Sequence, residues 1–340
     1  MRKISFESLS DFFKALSDKM PLYLPVDGKE GASFKKWEEG VEYSKALNTN
    51  KSAKDFFFPQ VENMMAFKTE GKNIEVLDLR ENVGPFAIFG VRACDVKSFE
   101  ILDRVFLSEP CDTFYKERRE SAVIITMACS RPLETCFCKV FDIDAAAPGG
   151  DIECTMADGA VYFEAKSEKG EKLLNELSVL EESDSAAADA EKAKIRERIE
   201  KLPLSNLKTD AFGGGKTKEF FDSEAWAQLS ANCLGCGTCT FVCPTCQCYD
   251  IKDYNTGNGV QRYRCWDSCM YSDFTKMAHG NIRNSQKERF RQRFMHKLVY
   301  FPENNEGIFG CVGCGRCLMK CPISMNIVKV MKALGGKENE

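Results

Sequence analysis

The chain has 340 residues, of which 44% are hydrophobic and 29% charged, a globular composition that predicts about two domains. Its formal net charge of −4 gives no reason to expect a nucleic acid partner. The longest apolar runs, residues 85–91 and 122–129, are far shorter than the roughly 20 residues of a membrane span. The first 20 residues mix charges throughout, unlike a secretory signal. We therefore expect a cytoplasmic protein without direct membrane insertion.

Residues 1–165 alternate between strand-like and helix-like patterns, which predicts an N-terminal α/β domain. The strand-like runs are MPLYLPV (20–26), KNIEVLDL (72–79), PFAIFGV (85–91) and SAVIITMAC (121–129). The last two runs flank a helical pattern at residues 94–106, so they predict a βαβ unit with parallel, adjacent strands. Asp158 and Gly159 lie between two β-prone runs and predict a hairpin.

Residues 166–215 are charged, rich in alanine and helical in period, which predicts a helical linker. The sequence SDS at 183–185 supplies a helix N-cap, and Pro203 supplies a stop. We expect a solvated helical hairpin that joins two domains. The sequence GGGKT at 213–217 is not a phosphate loop, because Asp210 stands where that loop requires glycine and no strand precedes it.

Residues 216–340 carry two copies of one cysteine motif. CLGCGTCTFVCP (233–244) and CVGCGRCLMKCP (311–322) both read C-x2-C-x2-C-x3-C-P, the spacing of bacterial ferredoxins with two [4Fe-4S] clusters. Three cysteines at steps of three allow one tight loop to hold three irons of a cube. Glycines inside each loop let the backbone approach the cluster. The motifs predict a dicluster ferredoxin-like domain.

The fourth cysteine of each motif lies too far along the chain to close the same cube, so we expect it to bind the other cluster. The predicted ligands of cluster 1 are Cys233, Cys236, Cys239 and Cys321, and those of cluster 2 are Cys311, Cys314, Cys317 and Cys243. Zinc is the alternative, because C-x2-C pairs also build structural zinc sites. Two complete motifs, each with its fourth Cys-Pro, favour iron–sulfur clusters.

A long insertion at residues 247–305 separates the motifs and predicts a mostly helical type of ferredoxin domain. Phe290, Phe294 and Leu298 form an apolar stripe at helical spacing, with arginines on the other faces. We expect this helix to pack on the cluster domain and to show its charges to water, where its cations also offset the negative charge of the clusters.

Four cysteines of the N-terminal domain predict a third cluster. Cys94 follows the strand at 85–91, and Cys129 ends the strand at 121–129. Parallel neighbouring strands bring both thiols to one carboxyl edge of the sheet, and Cys136 and Cys138 follow in the next loop. The alternative is that these cysteines are buried or incidental thiols, as we expect for Cys111 and Cys154.

Cys246 and Cys248 lie just past the first motif and are not among its four cysteines. With Cys265 and Cys269 they are numerous enough for another metal site, but strand alternation would point Cys246 and Cys248 to opposite faces. We favour a shell of buried thiols that packs, with nearby aromatic residues, against the cluster and excludes water. The aromatic residues are Tyr249, Trp266 and Tyr271.

We expect no catalytic site in this chain. No G-x-G-x-x-G sequence follows a strand, which argues against a dinucleotide site of the Rossmann type. Its two histidines, His279 and His296, do not have the spacing of haem ligands. Electrons must then enter and leave through other proteins.

Several sequences outside the motifs resemble a known family. They are GVRACDVKSFEILDRVF, FYKERRESAVI, CFC, CTFVCPTCQCYD, WDSCMYSDFTKMAHG and HKLVYF, the last followed by CVGCGRC. Together they are similar to the iron–sulfur subunit shared by several anaerobic complexes over most of residues 80–330. The family comprises the beta subunit of cytoplasmic sulfhydrogenases, the A-type iron–sulfur protein of anaerobic sulfite reductase, and the related component of flavin oxidoreductases linked to heterodisulfide reductase.

The resemblance implies an electron relay between a flavin subunit that handles NAD(P)H and a separate catalytic subunit. It does not choose between hydrogen, sulfite and heterodisulfide chemistry. It marks six cysteines outside the predicted dicluster ligands as recurring positions without saying what each binds: Cys94, Cys136, Cys138, Cys246, Cys248 and Cys269. The alternative is a dehydrogenase subunit with its own flavin in the N-terminal domain.

Overall fold

The computed structural model describes residues 1–46 and 48–336. The strands are β1 (Arg2–Ser5), β2 (Leu22–Val26), β3 (Ser33–Lys36), β4 (Val61–Glu70), β5 (Asn73–Asp78), β6 (Phe86–Val91), β7 (Ala122–Met127), β8 (Ile152–Ala157), β9 (Ala160–Ala165), β10 (Glu181–Glu182), β11 (Tyr249–Asn255), β12 (Gly259–Trp266), β13 (Lys276–Met277) and β14 (Gly280–Asn281). The helices are α1 (Leu9–Ser17), α2 (Ala93–Phe106), α3 (Thr113–Ser121), α4 (Glu168–Asn175), α5 (Ala186–Glu200), α6 (Thr217–Phe220), α7 (Ala225–Ser230), α8 (Thr238–Phe241), α9 (Gln286–Met295), α10 (Phe301–Asn304), α11 (Arg316–Lys320) and α12 (Ile327–Leu334).

An eight-stranded mixed sheet forms the centre of the N-terminal region, in the order β10-β1-β9-β8-β7-β6-β2-β3. The pairs β2–β6, β6–β7 and β7–β8 are parallel. The predicted βαβ unit is therefore confirmed, with α2 as its helix. The hairpin at Asp158 and Gly159 is confirmed as well, because β8 and β9 pair antiparallel and both turn residues have positive φ.

The central strands β6 and β7 are buried along their whole length, which explains their continuously apolar sequence. Successive side chains alternate between two cores. Phe89 and Ile125 pack with α1 and α4 on one face, whereas Ile88 and Ile124 pack with α2 and α3 on the other. The two covered faces give a three-layer α/β architecture, in agreement with the fold class predicted for this region.

A second, antiparallel sheet has the order β11-β12-β4-β5, so it combines strands from two of the predicted domains. Arg264 of β12 lies opposite Glu62 of β4, and their buried side chains form an ion pair that also includes Asp112 before α3. The prediction of a helical insertion over residues 247–305 was wrong for residues 249–281, which contain β11 to β14. Alternating polar and β-prone residues on either side of a glycine-rich turn explain this hairpin.

Helices α4 and α5 occupy the predicted linker, but they are not a solvated hairpin between two domains. Leu173 and Leu174 of α4 are buried against the sheet, and α5 packs on β8. Lys192 of α5 also reaches the carboxylate of Glu153 on β8 at 3.5 Å. The linker helices therefore cover the large sheet.

Within the described ranges, none of the helices has the length and apolar character needed to cross a membrane.

Candidate iron–sulfur sites

Three cysteines of the first motif and the last cysteine of the second motif line one cavity. Gly235 and Gly237 adopt positive φ, which turns the loop of this motif tightly before α8 begins. The cavity walls are otherwise mainly apolar and include Phe290 and Phe294 of α9. The four cysteines that share the cavity are Cys233, Cys236, Cys239 and Cys321. The structure thus brings together the set that crossed ligation requires for cluster 1.

The second motif forms a matching loop, with positive φ at Gly313 and Gly315, and its helix α11 packs against α8. Burial, together with the nearby thiols of Cys243 and Cys314, raises the pKa of Cys311 to about 12. Cys243 likewise raises the pKa of the buried Cys314 and Cys317 thiols. Cys243 therefore lies with the three cysteines of the second motif, as predicted for cluster 2.

A second cavity lies at the carboxyl edge of the parallel strands. Its lining includes all four cysteines predicted for a third cluster: Cys94, Cys129, Cys136 and Cys138. Burial, together with the neighbouring Cys129 thiol, raises the pKa of Cys136 and of Cys138 to about 12. The predicted convergence of these thiols at one sheet edge is confirmed. Whether they bind a cluster stays a prediction.

The second motif lies directly against the third group of cysteines. The backbone N–H of Phe137 donates to the carbonyl of Gly313 at 2.8 Å, and a Cβ atom on Gly313 would lie 2.4 Å from the Phe137 carbonyl. Only glycine permits this approach. Cys314, which belongs with cluster 2, also lines the cavity of the third group.

Buried cations stand beside these thiols; the sequence predicted that cations of this helix offset cluster charge, but not that two of them are buried. The stripe of Phe290, Phe294 and Leu298 is buried as predicted, but Arg293 and Lys297 on the same helical segment are only 2% and 4% exposed. The expectation that this helix shows its charges to water was wrong for these two residues. Their i, i+4 spacing beside the aromatic stripe was the available signal.

Arg293 and Lys297 face the thiols of both motifs. Arg293 donates to the carbonyl of Cys239 at 3.1 Å, and the thiols of Cys239 and Cys317 raise its pKa, although burial lowers it. In the part of the chain that the structure describes, the Nε and Nη1 atoms of Arg293 are buried without a hydrogen-bond partner. Buried donors of this kind require an acceptor. An anionic iron–sulfur cluster would supply this acceptor. The cysteines and the buried Arg293 side chain are therefore compatible with bound clusters.

A buried ion pair connects the second and third groups of cysteines. Arg316 donates to both carboxylate oxygens of Asp95, at 2.7 and 3.1 Å, and both side chains are about 1% exposed. Asp95 follows Cys94 at the start of α2, whereas Arg316 lies between Cys314 and Cys317. Burial raises the pKa of both Cys94 and Cys314, and the Arg316 cation opposes this rise.

The extra cysteines of the insertion do not assemble as one four-thiol site. Cys246 hydrogen-bonds with Cys243, and Cys248 hydrogen-bonds with Cys269. Cys265 lies apart, beside Lys252 and Asp250 on a surface groove. Over residues 1–46 and 48–336, no group of three or more His, Cys, Asp or Glu side chains is arranged to hold a single metal ion.

The expected aromatic shell is present in part. Trp266 is buried, and its ring lies 3.6 Å from the ammonium group of Lys54. Tyr271 donates to the carbonyl of Cys236 at 3.3 Å. Tyr249 and Tyr271 are 41% and 37% exposed, so these two rings cover the region without excluding water completely.

Comparison with known proteins agrees with this geometry. Residues 232–325 match the family model of the 4Fe-4S dicluster domain. The chain is 32% identical over 343 aligned positions to sulfhydrogenase 2 subunit beta of Pyrococcus furiosus, a match that covers 97% of this chain and 96% of that protein. No solved structure matches the chain significantly.

The paired motifs and these similarities define an iron–sulfur protein of the electron-transfer class. More particularly, the chain belongs to the iron–sulfur subunit family that includes the sulfhydrogenase beta subunit, which confirms the family predicted from the sequence.

Proposed function

We propose that this chain is the electron-transfer subunit of a cytoplasmic, multi-subunit oxidoreductase of anaerobic metabolism. It relays single electrons between a subunit that binds flavin and NAD(P)H and a catalytic subunit of the hydrogenase, sulfite reductase or heterodisulfide reductase type. Its similarity to a sulfhydrogenase subunit supports a place in a larger complex. We assign no catalytic residue to this chain.

The observation that carries the proposal is the order of the three cysteine groups through the protein. Arg293 contacts Cys239 of the first group and lies near Cys317 of the second. Cys314 of the second group lines the cavity of the third. Electron carriers that exchange single electrons must be close neighbours, and the proximity of the three cysteine groups supports a relay through three clusters.

We assign two [4Fe-4S] clusters to the paired motifs and a third to the N-terminal cavity. The ligands are Cys233, Cys236, Cys239 and Cys321 for cluster 1, Cys311, Cys314, Cys317 and Cys243 for cluster 2, and Cys94, Cys129, Cys136 and Cys138 for cluster 3. When bound, such clusters accept and donate single electrons. The chain's own residues hold the ligand loops, surround them with apolar side chains, and supply buried cations that offset negative charge.

Iron content tests the assignment. Protein purified without oxygen should contain about twelve irons per chain, and changing Cys136 and Cys138 together to serine should remove about four. A Cys111→Ser variant is the matched control, because Cys111 lies in none of the three groups, and it should keep all the iron. An unchanged iron count in the double variant would exclude the third cluster.

Activity of the isolated chain tests the relay. The chain alone should neither bind NAD(P)H nor oxidise it with a dye as acceptor, whereas addition of its flavoprotein partner should allow its clusters to be reduced. Tightly bound flavin together with NADH–dye turnover in the chain alone would favour the alternative, a dehydrogenase subunit with a flavin site in the N-terminal domain.

A further inference from the structure

The thiols of Cys248 and Cys269 are in direct contact at the base of the β11–β12 hairpin. Cys248 immediately precedes β11, and Cys269 follows the end of β12. The backbone N–H of Asp267 donates to the carbonyl of Cys248 at 3.0 Å, which extends the strand pairing to this level. The two thiols hydrogen-bond to each other. Strand pairing therefore holds two cysteines together that are far apart in sequence.

This pair stands outside the proposed cluster ligands. Cys246 contacts Cys243, and Cys265 lies beside Asp250 on the surface. Cys248 and Cys269 both remain partly accessible. They are thus two cysteines outside the proposed ligand sets, and each is the thiol partner of the other.

The segment that carries Cys269 is bound to the first cluster motif. The hydroxyl of Thr240 in α8 donates to that of Ser268 at 2.8 Å, and Tyr271 donates to the carbonyl of Cys236 at 3.3 Å. The residues on either side of Cys269 therefore contact the loop assigned to cluster 1. This places the thiol pair next to a proposed source of single electrons.

The surroundings favour thiol–disulfide chemistry at this pair. The hydrogen bond with Cys269 and the buried cation of Lys297 together outweigh burial and bring the pKa of Cys248 down to about 7. The same hydrogen bond raises the pKa of Cys269. One thiol that ionises readily beside one that keeps its proton is the usual arrangement of a reactive dithiol.

We propose that Cys248 and Cys269 form a redox-active dithiol that exchanges electrons with the iron–sulfur clusters of this chain. On oxidation, both S–H bonds break and one S–S bond forms, two protons pass to solvent, and two electrons pass one at a time to two [4Fe-4S] clusters. Reduction of the disulfide reverses each step. The electron acceptors rest on the proposed function, whereas formation of the disulfide itself does not.

Peptide mapping of the full-length protein tests the disulfide. The protein, purified without oxygen, is treated with diamide, a thiol oxidant, blocked with N-ethylmaleimide and digested. We expect a cross-linked peptide that joins Cys248 to Cys269 in the wild type and in Cys265→Ser, and none in Cys269→Ser. Absence of this cross-link from the oxidised wild type would overturn the proposal, and it would leave the cluster assignment untouched.

Coulometric reduction tests the exchange of electrons. After mild oxidation, the wild type should take up two more electrons per chain than Cys248→Ser or Cys269→Ser at the same iron content, because a disulfide is a two-electron couple. Cys265→Ser should match the wild type. Equal uptake in all four proteins would overturn the proposal. Loss of about four irons from Cys248→Ser would also overturn it, since that result assigns Cys248 to a cluster.

Discussion

Replacing Arg316 with methionine would break the buried ion pair between the second and third groups of cysteines. Arg316 donates to both carboxylate oxygens of Asp95, and it also donates to the carbonyl and hydroxyl oxygens of Thr49 at 2.9 and 3.2 Å. The arginine and the aspartate are fully buried. The substitution therefore leaves a buried carboxylate that has lost its cationic partner.

Breaking a buried ion pair by removing one member costs about 3–5 kcal/mol, so we expect the free energy of unfolding to fall by that amount. Changing both residues, as Asp95→Leu with Arg316→Met, should recover most of the loss, because no unpaired charge then remains. Arg104→Met is the control. Its partner Glu306 is 79% exposed, and the loss should stay below about 1 kcal/mol.

Urea denaturation under anaerobic conditions, followed by tryptophan fluorescence, measures these differences in the free energy of unfolding. Iron content is measured on the same samples so that proteins with equal cluster loading are compared. A loss below about 1 kcal/mol in Arg316→Met would refute the reasoning, as would a double variant less stable than the single one.

Two further changes test the electrostatics of the cluster region. Lys297→Met should lower the reduction potential of a cluster held beside Cys243 and Cys311 by tens of millivolts, since a buried positive charge favours the reduced, more negative form. An EPR redox titration measures this potential, and the control Lys297→Arg should stay near the wild-type value. An unchanged potential in Lys297→Met would contradict the prediction. Burial and the neighbouring Lys297 lower the pKa of His296 to about 4 from its usual 6.5, so its contribution to stability is complete above pH 6.5 and is lost as the pH falls towards 4. The wild type should lose about 2 kcal/mol more than His296→Gln between pH 7 and pH 5 in urea titrations, and parallel losses would show that His296 does not titrate in this way.

The sequence by itself determined the features that depend on local spacing. Two C-x2-C-x2-C-x3-C-P motifs predict the class of protein, because a loop that wraps a cubane needs thiols at short, regular steps with glycine between them. The βαβ pattern around residues 85–129 was equally local. Parallel neighbouring strands share a carboxyl edge, and this placed Cys94 and Cys129 together in advance.

The pairing of β4 with β12 was decided only in the tertiary structure. These strands are distant in sequence, and local periodicity does not state which strand will pair with which. Charge complementarity between Glu62 and Arg264 on the buried face of the sheet helps to hold their register. A long insertion between two ferredoxin motifs suggested helices by analogy, whereas the glycine-rich turn at 255–259 directed its first half into a hairpin.

The burial of cations and the partners of individual thiols also depended on tertiary structure. Arg293 and Lys297 look like solvated charges in sequence, because burial of a cation becomes favourable only where negative groups converge from several segments. The thiol partner of Cys248 is Cys269 and not Cys265. The hydrogen-bonded pairing of β11 with β12 ends beside Asp267, and the chain then turns back towards α8, which brings Cys269 to Cys248. Spacing along the chain predicted which cysteines were available for chemistry, and long-range packing decided which neighbours each of them has.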